Sequence, residues 1–99
     1  MTAKQIETLF DKLREDNTEV KRSLISGLVR IERLASKLPY SDGSCLVGGY
    51  AVGFYTCMGS LELAEAGATE KDIKFLVEAG AYLALFPSHN GKPTVHFTR

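Results

Sequence analysis

The fold of this 99-residue chain depends on how residues 45–66 fold, a stretch that reads CLVGGYAVGFYTCMGSLELAEA. Its large side chains at Tyr50, Phe54 and Met58 recur every four residues, as on one face of a helix. Each glycine disfavours a helix by about 1 kcal/mol, and the aromatic residues also suit a β-strand in which glycine marks bulges. The lack of clean alternation and the continuation LELAEA favour a glycine-rich buried helix over residues 45–66.

Residues 2–38 have the apolar pattern of helix. Apolar side chains recur at spacings of three and four from Ile6 to Leu38, and Thr2 begins a Thr-x-x-Gln capping box. The run Asp16-Asn17-Thr18 is a second capping signal, yet the apolar stripe stays in phase across it. One long helix and two helices broken near Asn17 therefore both fit.

Two further elements follow. Residues 69–79 predict a short helix capped by Thr69 and ended by Gly80. Residues 82–99 predict a short β-hairpin or an extended tail around Asn90-Gly91, where a two-residue turn would place Phe86 opposite Val95. Together the segments predict a mainly α fold, a single small helical domain over residues 1–99 with a short C-terminal β-hairpin.

Composition limits the function classes. Twelve Lys and Arg balance twelve Asp and Glu, which excludes a polycationic nucleic-acid arm and an acidic DNA mimic. Two cysteines are too few for a disulfide scaffold, and the N-terminus lacks a signal-peptide pattern, so we expect a cytoplasmic protein. Residues 43–61 are uncharged but rich in glycine and polar residues, which favours burial in protein over a membrane span.

Residues 61–99 resemble an ankyrin repeat followed by the start of another. Residues 73–81, IKFLVEAGA, are similar to the second helix and its Gly-Ala exit, and residues 90–97, NGKPTVHF, are similar to the turn before the next repeat. Pro93 and Thr94 stand in the reverse of the family's order, and nothing before Leu61 matches the pattern. The resemblance implies a protein-binding surface, with His89 and Asn90 at its contact tip.

Catalytic and metal chemistry finds little support in the sequence. Cys45 and Cys57 are twelve residues apart and His89 and His96 seven apart, neither of which fits the close pairs of structural zinc sites. We find no nucleophile elbow or phosphate-binding glycine loop. The sequence therefore predicts no metal, no cofactor and no enzymatic activity.

Charge is distributed unevenly despite the neutral total. Residues 21–37 carry five basic side chains against Glu32, whereas residues 42–79 carry six acidic ones against two lysines. Either the two regions meet across the fold, or the basic helix meets an acidic partner. For the second case the candidate partner-binding residues, together with the ankyrin-like tip, are Arg30, Arg33, Lys37, Tyr40, His89 and Asn90.

The apolar stripe is longer than a domain of this size easily covers, which favours a homodimer. In a helical segment Gly49 and Gly53 would lie one turn apart and would allow close approach of a second helix. The candidate self-association residues are Ile6, Phe10, Leu13, Leu24, Leu28, Gly49 and Gly53.

The leading functional hypothesis is a small protein–protein interaction module that acts as a regulator or inhibitor of a partner protein. One alternative is a small-ligand-binding or minor enzymatic domain around residues 45–58, built on Tyr50, Phe54, Tyr55 and Cys57. Another is nucleic-acid binding through residues 21–37, against which stands the lack of aromatic residues interleaved with the basic ones.

Overall fold

Helices and strands both contribute to the fold. The computed structural model of the protein describes residues 1–16, 19–38, 46–50, 53–85 and 93–98. The elements are α1 (Ala3–Asp16), α2 (Leu24–Ala35), β1 (Leu46–Tyr50), β2 (Gly53–Gly59), α3 (Ser60–Glu65), α4 (Glu70–Glu78), β3 (Ala81–Leu85) and β4 (Pro93–Thr98). The prediction of a mainly α domain is therefore wrong, and the protein is a small mixed α/β domain.

The error lies in residues 45–66. Leu46–Tyr50 and Gly53–Gly59 pair as the antiparallel strands β1 and β2, and among the described residues of this stretch only Ser60–Glu65 is helical. A strand avoids the cost of glycine in a helix, and Gly53 lies so close to the Phe97 carbonyl oxygen that a Cβ atom would overlap it. The pairing of β2 with β4 shifts between Tyr55 and Gly59, and this irregularity removes the alternation that would have indicated a strand.

The four strands form one antiparallel sheet in the order β1-β2-β4-β3. The predicted C-terminal pairing forms between β3 and β4, but in a different register, because Leu83 and not Phe86 is the partner of Val95. The described pairing runs as far as Leu85 and Pro93. The Asn90-Gly91 signal itself lies outside the described residues.

Local capping signals explain where three of the helices begin. The described part of residues 2–38 contains two helices, α1 and α2. At the start of α1 the Thr2 N–H donates to the Gln5 side chain at 2.8 Å, and the Gln5 N–H donates to the Thr2 hydroxyl at 3.2 Å. The cap of α2 is Ser23, not the predicted Asn17 region, whose Asn17 and Thr18 lie outside the described residues. Thr69 caps α4 as predicted.

The core lies between the helices and one face of the sheet. Along β4, Val95 and Phe97 are fully buried in the hydrophobic cluster, and they alternate with Thr94 and His96 on the opposite face. Helices α1, α2, α3 and α4 contribute most of the remaining buried side chains. The largest core residues are Ile6, Phe10, Ile31, Leu34, Met58, Leu63, Ile73, Leu76, Val95 and Phe97.

Candidate functional site

The outer face of α2 exposes large apolar side chains. Ile25 is 72% exposed and Val29 is 48% exposed, and the two lie one helical turn apart in α2. The inner face is different, because Gly27, Ile31 and Leu34 are buried against the rest of the protein. Contiguous exposed apolar patches mark interaction surfaces, whereas apolar residues exposed singly, such as Val20 and Leu85, are ordinary.

Charged residues of both signs continue this face toward the C-terminal end of α2, where the exposed Glu32 lies three residues after Val29. Arg33 lies one turn beyond Val29, and Lys37 lies in the turn that follows the helix; both are exposed. Neither forms an ion pair with another residue in the described part of the chain. We refer to Ile25, Val29, Arg33 and Lys37 together as the α2 outer face.

The other two arginines of this region hold α2 against α4. Arg30 Nη1 lies 2.8 Å from Asp72 Oδ1, and Arg22 Nε lies 3.2 Å from Glu78 Oε1. Their guanidinium carbons also lie 4.0 Å (Arg30) and 4.2 Å (Arg22) from the centre of the Phe75 ring. Arg30 is therefore a residue of the interface between α2 and α4, and its role in binding a partner stays a prediction.

The surroundings of Asp72 at this interface stabilise the charged form of its carboxyl group. Burial raises the pKa of the Asp72 carboxyl, but hydrogen bonds from the Thr69 N–H, the Arg30 guanidinium and the Thr69 hydroxyl, with the positive charge of Arg30, outweigh it. The net result is a pKa below the ordinary value. The same carboxylate thus completes the capping box of α4 and anchors α2.

The structure describes three of the six predicted partner-binding residues. Arg33 and Lys37 lie on the α2 outer face, and Arg30 is committed to Asp72. Tyr40, His89 and Asn90 lie outside the described residues.

The sequence prediction missed Ile25 and Val29, although a signal for them was present. The apolar stripe that faces the core runs through Leu24, Leu28 and Ile31. Ile25 and Val29 do not belong to that series, so they are apolar residues on the polar side of an amphipathic helix.

The residues predicted for self-association are largely used within the single chain. Ile6 and Phe10 are fully buried in the core, and Leu13, Leu24 and Leu28 are half-buried against it. Gly49 and Gly53 belong to β1 and β2, not to a helix. The long apolar stripe is covered by the chain's own sheet and helices, so it no longer provides a reason to expect a homodimer.

The ligand site predicted around residues 45–58 stays a prediction, and its two residues on β2 do not share a face. Phe54 and Tyr55 are successive residues of β2, paired with Phe97 and His96 respectively, and therefore point to opposite faces of the sheet. Cys57 is a free, half-buried thiol, and nothing is described for the side chain of Tyr50.

An aromatic row that the sequence did not indicate crosses the sheet instead. The His96 ring lies 6.3 Å from the Tyr55 ring and 5.7 Å from the Tyr82 ring, measured between centroids. His96 is buried, and its Nε2 lies 3.1 Å from the Thr94 hydroxyl oxygen. At the β3 end of the row, the guanidinium carbon of Arg14 lies 5.0 Å from the centre of the Tyr82 ring. These contacts tie the sheet together across β2, β4 and β3.

Within the described ranges, no three His, Cys, Asp or Glu side chains converge as metal ligands would. None of the helices described there has the length and apolar character needed to cross a membrane.

Comparison of the chain with protein-family models, with curated proteins and with solved structures finds no match. The ankyrin-like character of residues 61–99 therefore stays a prediction.

Proposed function

We propose that the protein is an interaction module that regulates or inhibits a partner protein by covering part of its surface with the α2 outer face. The observation that carries this proposal is the exposure of Ile25 and Val29 beside Arg33. Ile25 is the most exposed large apolar side chain in the described part of the chain. Fully burying one such side chain contributes about 1.5–3 kcal/mol.

The rigid attachment of α2 supports the same proposal. The ion pairs of Arg22 and Arg30 fix α2 to α4, while Gly27 brings its inner face close to the Phe97 ring. A surface that is already ordered loses little conformational entropy on binding. The basic residues Arg33 and Lys37 add complementarity to an acidic partner and would speed association.

Site-specific photo-crosslinking in the native host tests this function. A tagged chain in which p-benzoylphenylalanine replaces Ile25 should yield one protein adduct of defined mass. The matched control replaces Lys4, an exposed residue in the first turn of α1, a helix that packs mainly on α3 and α4. The same adduct pattern from positions 25 and 4 would refute the proposal. The absence of an adduct when the crosslinker is placed at position 25 or at position 29 would also refute it.

A substitution completes the design without disturbing the fold. Ile25 lies in the first turn of α2, where a carboxylate interacts favourably with the helix dipole, so Ile25→Asp should leave the free energy of unfolding unchanged or slightly increase it. The same substitution should abolish capture of the partner when the crosslinker is placed at Val29. Lys4→Glu, also in a first helical turn, serves as the control and should have no effect on capture.

A further inference from the structure

β3 lies at one edge of the sheet and lacks the features that usually keep an edge strand from pairing with another chain. Such features are charged side chains, proline and β-bulges. β1, at the other edge, has a shift in its register with β2 between Leu46 and Gly48. β3 pairs with β4 without a shift from Ala81 to Leu85, and its sequence AYLAL contains no charged residue and no proline. β3 is therefore the edge better suited to the addition of a further strand.

The hydrogen bonds around β3 show which of its backbone groups face away from β4. Just before β3, the Thr98 N–H donates to the Gly80 carbonyl oxygen at 3.4 Å, so these two residues form a hydrogen-bonded pair. Hydrogen-bonded and non-hydrogen-bonded pairs alternate along an antiparallel ladder. The backbone groups of residues 82 and 84 therefore point to β4, and those of residues 81, 83 and 85 point outward. The partner of Leu85 is Pro93, which has no N–H, and this agrees with the alternation.

Of these outward groups, only the Ala81 carbonyl oxygen has a partner in the described part of the chain. It accepts a hydrogen bond from the Arg14 guanidinium at 3.3 Å. Among the described residues, no hydrogen bond reaches the outward N–H and C=O groups of Leu83 and Leu85. The Leu85 side chain is 68% exposed, on the same face of the sheet as Leu83, which packs against the core. A singly exposed leucine is ordinary, but this one coincides with backbone donors and acceptors that have no partner in the described ranges.

From this edge we infer that the chain forms a dimer in which β3 of one copy lies antiparallel to β3 of a second copy. The N–H and C=O of Leu83 in one copy bond to the C=O and N–H of Leu85 in the other, and the reciprocal pair forms by symmetry. The two four-stranded sheets thereby become one continuous sheet of eight strands. The inference concerns a different surface from the α2 outer face and does not depend on the proposed function.

Hydrogen bonding, packing and charge favour a second copy in this register. Only an extended backbone matches N–H and C=O groups that alternate along a strand. Ala84 lies on the two-fold axis, where its small side chain allows the Cα separation of about 4.5 Å of a non-hydrogen-bonded pair. The pairing does not need the Ala81 carbonyl that Arg14 occupies, and it places the exposed Leu85 beside Leu83 of the second copy. Because the chain has no net charge, two copies do not repel each other.

Sedimentation equilibrium and amide hydrogen exchange of the unmodified chain test the inference together. We expect a monomer–dimer equilibrium between micromolar and millimolar concentration. The amides of Leu83 and Leu85 should exchange with solvent in the monomer and become protected as the dimer forms. The amides of Tyr82 and Ala84, which point to β4, should be protected at every concentration and serve as the internal control.

Substitutions at Leu85 test the role of this edge in the dimer. Leu85→Pro removes an outward N–H, a change that an edge strand tolerates, so thermal unfolding of the monomer should be nearly unchanged. The dissociation constant of the dimer should rise about tenfold or more, because two symmetry-related hydrogen bonds are lost. Leu85→Lys places a charge on the edge and should have a similar effect. Leu61→Lys, at another exposed leucine that lies on α3 and not on the sheet, should leave the dissociation constant unchanged.

A disulfide tests the register. In a background with Cys45→Ser and Cys57→Ser, Ala84→Cys should give a covalent dimer on mild oxidation, because the Cα separation at the two-fold axis suits a disulfide. Thr98→Cys, at an exposed residue at the end of β4, is the matched control and should not. Absence of the covalent dimer from Ala84→Cys would overturn the assigned pairing.

The other outcomes identify a different occupant or none. A chain that stays monomeric with exchanging Leu83 and Leu85 amides, or a dimer that survives Leu85→Pro unweakened, would overturn the inference. A monomer in which those two amides are protected would assign the edge to a segment of the same chain. Protection that appears only after addition of host extract would assign it to another protein. Each of these last two results also overturns the pairing of two copies.

Discussion

Gly27 controls how closely α2 approaches the sheet, and Gly27→Ala should destabilise the protein although alanine is the better helix former. A Cβ atom at this position would lie 2.5 Å from Cε1 and 3.2 Å from Cζ of the Phe97 ring. It would also lie 2.8 Å from the Cβ atom of Ala79. Ordinary contacts between carbon atoms are about 3.5–4.0 Å, so α2 or the ring must shift by roughly 1 Å.

Two opposing effects set the magnitude. Replacing glycine by alanine in a helix interior contributes about 1 kcal/mol of stability. Overpacking a well-packed core costs about 1–3 kcal/mol, and the upper part of that range applies because Phe97 and Ala79 are buried and cannot move into solvent. The net expectation is a loss of about 1–2 kcal/mol. With an m-value near 1.5 kcal/mol/M, typical of a small protein, the urea midpoint should fall by roughly 1 M.

Equilibrium unfolding in urea measures this effect, and a double-mutant cycle identifies its source. In a Phe97→Leu background, which removes the ring atoms, the cost of Gly27→Ala should decrease by about 1 kcal/mol or more. Gly67→Ala is a useful comparison, because that glycine has a φ of +75° and open space around it, so its cost comes from the backbone alone. A Gly27→Ala variant that is more stable than wild type would refute the assigned close approach.

Three further predictions concern the contact between α2 and α4. Arg30→Ala should lower the free energy of unfolding by about 1–2 kcal/mol, because it removes a partly buried charged hydrogen bond and a stacked ring contact. Arg33→Ala should change the free energy of unfolding by less than about 0.5 kcal/mol. Thermal unfolding of the two variants tests both expectations. The pKa of Asp72 is lower in the folded chain than in the unfolded one, so its contribution to stability is present above pH of about 4 and is lost as the pH falls through the folded pKa. Urea titrations from pH 7 to pH 2 should show this pH-dependent loss of stability in wild type and not in Asp72→Asn. Thr69→Ala should cost about 1 kcal/mol through loss of the capping box, and Thr69→Ser should restore most of it in the same assay.

Hydrophobic periodicity and capping residues predicted the helices well because both signals are local. The stripes of α1 and α2, and the capping boxes at Thr2 and Thr69, depend on residues within one or two turns of each other. Gly80 likewise ends its helix with a φ of +91°, as its position after residue 79 suggested. The glycine-rich segment was predicted wrongly because its strand geometry depends on a distant one: the close approach of Gly53 to Phe97 is set by β4, more than 40 residues later.

The candidate site shows the same division between local and distant information. The sequence placed a basic cluster at residues 21–37 but could not show which of its members are occupied. That distinction depends on Asp72 and Glu78, whose side chains meet Arg30 and Arg22 only after α4 has packed on α2. The exposed position of Ile25 was in principle readable, because it departs from the stripe that faces the core.

The zero net charge of the chain therefore conceals two kinds of basic residue. Arg22 and Arg30 form ion pairs with Glu78 and Asp72. Through these two pairs the basic and acidic regions meet across the fold. Arg33 and Lys37 lie at the end of α2 where its dipole is negative, so their charge also stabilises the helix that presents them. Arg22 and Arg30 connect this part of the chain to α4, whereas Arg33 and Lys37 remain exposed. α2 can therefore contact a partner without losing its contacts with α4. Substitutions at the two positions should accordingly differ in kind: those at Arg30 should act first on folding, and those at Arg33 should act mainly on binding, with only a small effect on stability through the helix dipole.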